Sequence, residues 1–290
     1  MPNTFCYLCA GTRLVKRPGK VCDKTGIDVL ECLSCGLVFL SSFDHVSEGF
    51  YTDSGMRASS AGASDRGCSV DYWRNMTAWD DDRRLVYLRP LVENRRLLDF
   101  GCGHGGFLLR ARRLAARAVG VELDREMAAE FKKQGLEVHP RLDAVQGQFD
   151  LITMFHVLEH IPDPAALLRE TAGRLAEKGR IIVEVPSGAD ALLTLYQSAP
   201  FADFTYWSCH LYLFTASTLA ALAAKAGLRV DYVKHIQRYP ISNHLYWLAK
   251  GRPGGHQKWH FLDSEELHRA YEKQLASVGA TDTMIASLRA

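Results

Sequence analysis

The strongest constraint in this 290-residue sequence is a glycine-rich turn set between an apolar strand pattern and a helical one. Leu97-Leu98-Asp99-Phe100 reads as a short buried strand and Gly101-Cys102-Gly103-His104-Gly105-Gly106 as a tight turn. Residues 107–118 read as a helix with Leu108, Ala111, Leu114, Ala115 and Ala118 on one face. A strand that turns directly into a helix implies layered α/β architecture. Glycines at 101, 103 and 106 satisfy G-x-G-x-x-G. Without Cβ atoms they let a ligand approach the backbone, and the next helix presents free N–H groups. Nicotinamide and flavin sites share this spacing. Asp99, two residues before the first glycine, discriminates between them. A carboxylate aimed into the turn suits a cationic amine and suits a pyrophosphate poorly. Glu122 ends the next strand and can accept ribose hydroxyls in either case.

The alternation continues downstream. Strands are expected at 119–122, 137–139, 149–155, 180–185 and 228–236. Helices are expected at 126–134, closed by Gly135, and at 215–226, ended by Gly227. Between them, Asp163 caps a helix with Pro164 at its first position and Gly179 at its end. This order builds an α/β, mostly parallel, Rossmann-like sheet with helices on both faces, spanning 95–236. Residues 190–214 form an insertion expected to build an acceptor pocket, with about half of its aromatics (Tyr196, Phe201, Phe204, Tyr206, Trp207, Tyr212) in the core.

Residues 46–94 read as linker and helical lead-in, with a mobile stretch at 58–64. A helix over 71–88 follows, on which Tyr72, Met76, Trp79 and Val86 recur at helical spacing and which Pro90 ends. It either packs on the core or lies over the ligand site. The mixed charges of Asp80-Asp81-Asp82-Arg83-Arg84 read as a solvated face. Residues 237–290 form a C-terminal extension, with a loop at 252–259 and a terminal helix from Phe261 capped by Asp263 or Ser264. The extension is expected either to cover a sheet edge or to serve a homodimer interface.

Five of the eight cysteines crowd the first 35 residues. Cys6-Tyr7-Leu8-Cys9 and Cys32-Leu33-Ser34-Cys35 are two C-x-x-C pairs, each able to present two thiolates to one ion. Together they complete a tetrahedral S4 site, the preferred geometry of structural Zn2+. Gly11 and Gly36 supply residues tolerant of positive φ at the two knuckles. Short strands at 12–15 and 28–31, and the apolar Leu37-Val38-Phe39-Leu40, complete a zinc ribbon over 1–45. A unit this small depends on its metal for folding free energy. Cys22 is a spare thiol, and no thioredoxin-like βαβ unit surrounds the pairs to suggest redox chemistry.

The charge balance excludes some classes. With 35 basic against 33 acidic residues the net charge is +2, without the basic excess of a nucleic-acid binder. No apolar run approaches the roughly 18–20 residues that cross a bilayer. Met1 to Ala10 lacks a signal-peptide layout. The expected location is therefore cytoplasmic, where the cysteines stay reduced.

From Leu98 to Gly105 the chain resembles class I S-adenosylmethionine-dependent methyltransferases, whose first motif runs acid-x-Gly-x-Gly-x-Gly. Gly120-Val121-Glu122, Phe149-Asp150-Leu151-Ile152, residues 156–164 and residues 210–228 match later motifs in order and spacing. The resemblance implies that Asp99, Gly101, Cys102, Gly103 and Gly105 hold the methionine part of S-adenosyl-L-methionine, and Glu122 the ribose. Leu123, Phe155 and His156 fall beside the cofactor. The residue flanking adenine falls at Arg141, Leu142 or Asp143, with Leu142 taken into the cofactor set. A C-x-x-C ribbon ahead of such a core also resembles methyltransferases of sugar and polysaccharide clusters. These include nucleotide-sugar C-methyltransferases, whose large C-terminal domain is absent here; O-methylation is therefore the expectation. The Leu158-Glu159-His160 stretch is similar to ubiquinone-type O-methyltransferases too.

Methyl transfer to a hydroxyl needs alignment and a general base. Histidine suits that task, and His156, His160 and His210 are the candidates, with Glu159 as base or orienter. The expected function is O-methylation of a small-molecule or glycan hydroxyl. The competing readings are an RNA methyltransferase that clamps RNA with its ribbon, a sugar C-methyltransferase and a non-catalytic binding module. Weak net charge argues against the first; the intact Asp99, glycine turn and Glu122 argue against the last.

Overall fold

A computed structural model describes residues 3–46 and 70–290. The 58–64 stretch lies outside the described residues. The N-terminal part holds β1 (Leu14–Lys16), β2 (Val29–Cys32) and β3 (Val38–Leu40). Next come α1 (Val70–Val92), β4 (Arg96–Phe100), α2 (Gly106–Ala111), β5 (Arg117–Val121), α3 (Ala128–Lys133) and β6 (Glu137–His139). They are followed by β7 (Phe149–Phe155), α4 (Pro164–Ala172), β8 (Leu175–Pro186), α5 (Ala191–Thr194), α6 (Ala199–Thr205) and β9 (Tyr212–Leu213). The chain ends with α7 (Ala216–Lys225), β10 (Arg229–Ile236), α8 (Ile241–Lys250), α9 (Gly255–Lys258), α10 (Glu265–Ser277) and β11 (Thr283–Arg289).

Seven strands form one sheet in the order β10-β11-β8-β7-β4-β5-β6. Strands β4 to β8 pair in parallel, whereas β11 runs antiparallel to both β8 and β10. Successive side chains on a strand point to opposite faces. Leu97, Leu151, Ile182 and Ile285 accordingly pack with Leu88 and Val92 of α1 and Phe107 and Ala111 of α2. Leu98, Ile152, Ile181 and Met284 pack on the other side with Leu168 of α4 and Leu219 and Leu222 of α7. Each fully buried aliphatic side chain of this kind contributes about 1.5–3 kcal/mol. The fold is the expected Rossmann-like sheet with helices on both faces. Strand β4 lies between β5 and β7, so the carboxyl ends of these strands open on a topological switch point, where ligands bind in such sheets.

Several local expectations are corrected. The C-terminal extension is not confined to the periphery: β11 enters the sheet between β8 and β10, where Met284, Ile285 and Ala286 are fully buried. The terminal helix, α10, begins at Glu265 with Ser264 as its cap, while Asp263 accepts the N–H and hydroxyl of Ser242. The 252–259 loop contains the helical turn α9. Pro90 does not end α1, because Leu88 and Val92, both fully buried, anchor its last turn. Gly179 does not end α4: Gly173 is the cap, and β8 starts at Leu175 to pair with Phe149. The helix after the glycine turn ends at Ala111, because β5 must start at Arg117 to pair with Arg96.

The ribbon strands form a four-stranded antiparallel sheet, β1-β2-β3-β9, whose last strand comes from the 190–214 segment. Val38 pairs with Leu213 and Phe39 with Tyr212. Val29, Leu37 and Leu40 join the same hydrophobic cluster as α4 and α7, so ribbon and core share one interior.

Candidate active site

A cavity of about 590 Å³ opens over the carboxyl ends of β4, β5 and β7. Asp99, Gly101, Cys102, Gly103, Glu122, Leu123, Phe155, His156, His160 and His210 all line it. A neighbouring pocket of about 170 Å³, which shares Phe100, Val121 and Leu123, is lined by Leu142 with Arg141 and Asp143. Gly105 lines neither. It adopts φ +73° as the residue before α2, and a Cβ there would strike Leu136, so it shapes the turn instead.

The glycine turn is built for close approach. Gly101 and Gly103 have φ of +72° and +54°, and the space where a Gly103 Cβ would sit is open. Gly103 N–H donates to Glu122 at 2.7 Å and Asp124 N–H donates to the other Glu122 oxygen at 3.0 Å, which fixes the carboxylate at the tip of β5. Asp99 is almost fully buried and accepts a hydrogen bond from Thr153 at 2.8 Å. Burial pushes its carboxyl up to about 7, a cost that a cationic ligand would relieve.

Helix α1 lies across the cavity with its polar side inward. Asp80, Asp81 and Arg84 are buried, and Thr77, Asp80, Asp81 and Arg84 line the cavity. Met76, Trp79 and Val86 are exposed instead. The solvated-face reading holds for the exposed Asp82, which pairs with Arg110, but is inverted for Asp80, Asp81 and Arg84, whose partners lie inside. Glu184 of β8, with no exposure, receives Arg83 at 2.7 and 3.0 Å and Arg84 at 2.6 Å. Arg238 pairs with Asp80. Burial alone would raise the Glu184 carboxyl, but His156 and Arg84 hold it well below the usual range. Burial also drives Asp81 up to about 6, although Arg84, Arg110 and Thr77 oppose it. These residues escaped the sequence reading; the one available signal was three acids beside two arginines at helical spacing. Among the lining residues the carboxylates Asp80, Asp81, Asp99, Glu122 and Asp124 outnumber the guanidiniums Arg84 and Arg238, a balance that favours a cationic ligand.

The three candidate histidines occupy different electrostatic environments. His156 adopts φ +55° and lies 3.1 Å from Glu159 and 3.2 Å from Glu184. Burial disfavours its charge, but the two carboxylates outweigh this and raise its pKa above the ordinary imidazole value. Glu159 is fully buried behind it and does not line the cavity. His210 is driven down to about 3 by burial, with His160 and His156 adding to the effect against Glu159, and it stays neutral. His160 donates its Nδ1–H to the Cys209 carbonyl at 2.7 Å, and its Nε2 lies 4.0 Å from a Glu159 oxygen. The rings of His160 and His210 are 5.0 Å apart. Within 190–214, His210 reaches the cavity, whereas Phe204, Tyr206 and Trp207 do not line it.

Away from the cavity, the sulfurs of Cys6, Cys9, Cys32 and Cys35 all lie within 4.8 Å of one another, with Cys6–Cys35 and Cys9–Cys32 at 3.5 Å. Zinc–sulfur bonds of about 2.3 Å require tetrahedral edges of about 3.8 Å, so the donor set fits zinc. The positive φ of the first knuckle belongs to Ala10 (+56°) and not to Gly11. A Cβ on Gly11 would lie 3.2 Å from the Cys9 sulfur and 3.0 Å from the Ser34 hydroxyl, so glycine is needed there for room.

A family model described as a methyltransferase domain matches residues 72–233. Over 177 residues the chain is 28% identical to the ubiquinone biosynthesis O-methyltransferase of Xanthomonas euvesicatoria pv. vesicatoria, covering 55% of this chain and 74% of that protein. Over 175 residues it is 30% identical to the protein of the same name from Bordetella parapertussis, covering 52% and 69%. Among solved structures it is similar to a SAM-dependent methyltransferase from Archaeoglobus fulgidus, with a TM-score of 0.51, 20% identity and coverage of 75% and 94%. It is also similar to magnesium protoporphyrin IX methyltransferase from Synechocystis PCC 6803 with bound SAH, with a TM-score of 0.51, 13% identity and coverage of 86% and 100%. Identities this low speak to the shared fold.

Proposed function

This chain belongs to the methyltransferase-domain family and is an S-adenosylmethionine-dependent methyltransferase, and we propose that it O-methylates a hydroxyl of a sugar, nucleotide sugar or glycan. The observation that carries O-methylation is His160, a buried imidazole on the cavity wall whose Nδ1–H is donated to Cys209 and whose Nε2 lies 4.0 Å from a Glu159 oxygen. The relatives named as O-methyltransferases support the same chemistry. The sugar class rests on the resemblance of the ribbon–core combination.

When bound, S-adenosylmethionine supplies an electrophilic methyl group on a sulfonium. Asp99 would hold the ammonium of its methionine part and Glu122 the ribose hydroxyls, and Leu142 would flank the adenine. Glycines 101 and 103 let the ligand lie against the backbone. His160 Nε2 would take the proton of the acceptor hydroxyl during the in-line transfer, the leaving sulfur keeping the electron pair of the bond it gives up. Glu159, with an oxygen 4.0 Å from His160 Nε2, stabilises the imidazolium so formed. Burial alone would raise the Glu159 carboxyl, but its hydrogen bond with His156 and the neighbouring histidines hold it below the usual range, and His210, kept neutral by burial, orients the acceptor hydroxyl.

The test is transfer of label from methyl-labelled S-adenosylmethionine into separated pools of nucleotide sugars, polysaccharide, quinone precursors and RNA. Label in a sugar pool is the expected result; label confined to quinone precursors or RNA overturns the acceptor class. We infer likewise that the four cysteines hold one structural zinc. Metal analysis of protein purified without chelator is expected to give about one zinc per chain, and a value near zero overturns this.

A further inference from the structure

Resting on the acceptor-side roles read for His160 and His210, we propose that Asp23 and His45 of the ribbon are positioning residues for this histidine pair, acting through Ser208. Residues 206–211 belong to no helix or strand, so nothing regular fixes their path. The ribbon fixes it instead. One Asp23 oxygen accepts the Ser208 N–H at 2.8 Å and the other accepts its hydroxyl at 2.7 Å. His45 Nε2 donates to the Ser208 carbonyl at 2.6 Å. All three polar groups of this buried serine are thus held by ribbon side chains. Hydrogen bonds to an ionised carboxylate are roughly twice as strong as neutral ones, which suits a clamp.

The loop is gripped along its whole length. On the ribbon side Cys22 N–H donates to Tyr206 at 2.8 Å and Leu40 N–H donates to Leu211 at 3.0 Å. On the core side Leu211 N–H donates to the Glu159 carbonyl at 2.7 Å, and His160 Nδ1–H donates to Cys209. Cys209 directly follows the clamped serine. The carbonyl that selects the His160 tautomer is therefore one residue from Asp23's grip, and His210 is two. Ser208 transmits the ribbon's position to the choice of which imidazole nitrogen is basic. The hydrogen bonds that form this clamp do not involve the glycine turn.

Ring nitrogen spectra of ¹⁵N-histidine-labelled full-length protein, recorded across pH, test the clamp without needing the acceptor. In the wild-type chain His160 is expected as the pure Nδ1–H tautomer. His210, faced by His156, Glu159 and His160 and sharing the cavity with Arg238, is expected to stay neutral to about pH 3. In Asp23→Ala, His160 should become a tautomer mixture and the His210 midpoint should climb by at least about one pH unit. S-adenosylmethionine affinity by calorimetry should stay within about twofold of wild type. Asp23→Asn, which keeps one acceptor, should recover part of the effect. Should Asp23→Ala fail to fold, His45→Ala and Ser208→Ala each remove one arm of the clamp and are expected to shift the same signals less. Unchanged His160 and His210 spectra in the folded variants overturn the proposal. A wild-type chain that does not bind S-adenosylmethionine would overturn the functional reading instead, and the ring spectra would still decide the clamp.

Discussion

The two ends of the cavity are built by different means. At the end proposed for the cofactor, Asp99, the glycine turn and Glu122 lie within 24 consecutive residues, and backbone conformation does most of the positioning. The end proposed for the acceptor gathers Arg84, His156, His160, Pro186, His210 and Arg238 from several segments. It secures them by buried ion pairs to Glu184 and Asp80 and by a loop fastened to the ribbon. A site made by local backbone geometry depends on a few glycines and one or two acids. A site made by long-range side-chain contacts depends on each partner remaining in place, and on remote structure.

If the ends are separable, perturbing one should leave the other intact. The largest effect is expected for His160→Ala, which should lower kcat by about 10²–10⁴ while S-adenosylmethionine affinity stays within about twofold. Label-transfer kinetics beside calorimetry would read this, and parallel losses in both would break the distinction. Next is Asp99→Asn, expected to weaken S-adenosylmethionine binding about 100-fold by removing the buried partner of the ammonium.

The same carboxylate sets a pH signature. Its folded value of about 7 lies above the unfolded value, so the ligand-free fold loses stability as pH rises from about 4 through about 7. A cation favours the ionised form, so wild-type affinity should strengthen by up to about tenfold per pH unit toward pH 7 and level off above it. Calorimetry on Asp99→Asn should lack that slope. The smallest effect at the cofactor end is expected from chelation. Removing metal should lower the thermal midpoint yet change S-adenosylmethionine affinity by less than about threefold, a contrast that calorimetric scanning and titration would sharpen.

The same contrast explains what the sequence reveals. The glycine turn, Asp99 and Glu122 could be read directly because their geometry is encoded by neighbours, and so could the two C-x-x-C knuckles. Helix α1 was misread because periodicity shows where polarity alternates, not which side meets the protein. Its apolar positions Met76, Trp79 and Val86 face out, while Arg84 and Asp80 face in toward Glu184 and Arg238, 100 and 158 residues away. Gly11 was assigned a conformational role when its real constraint is steric, set by Ser34 across the ribbon. Strand β11 is buried from Thr283 to Leu288 around the short apolar run Met284-Ile285-Ala286, and only the sheet's order reveals that it lies between β10 and β8.

That place has a consequence for synthesis of the chain. β8 and β10 have no direct partner in each other; the gap between them is filled by residues 283–289. While the polypeptide is still emerging from the ribosome, the β8 margin stays open as an unpaired edge, and the sheet closes after these residues clear the exit tunnel. During that interval β8 can pair with a foreign β-segment in the place that residues 283–289 later take.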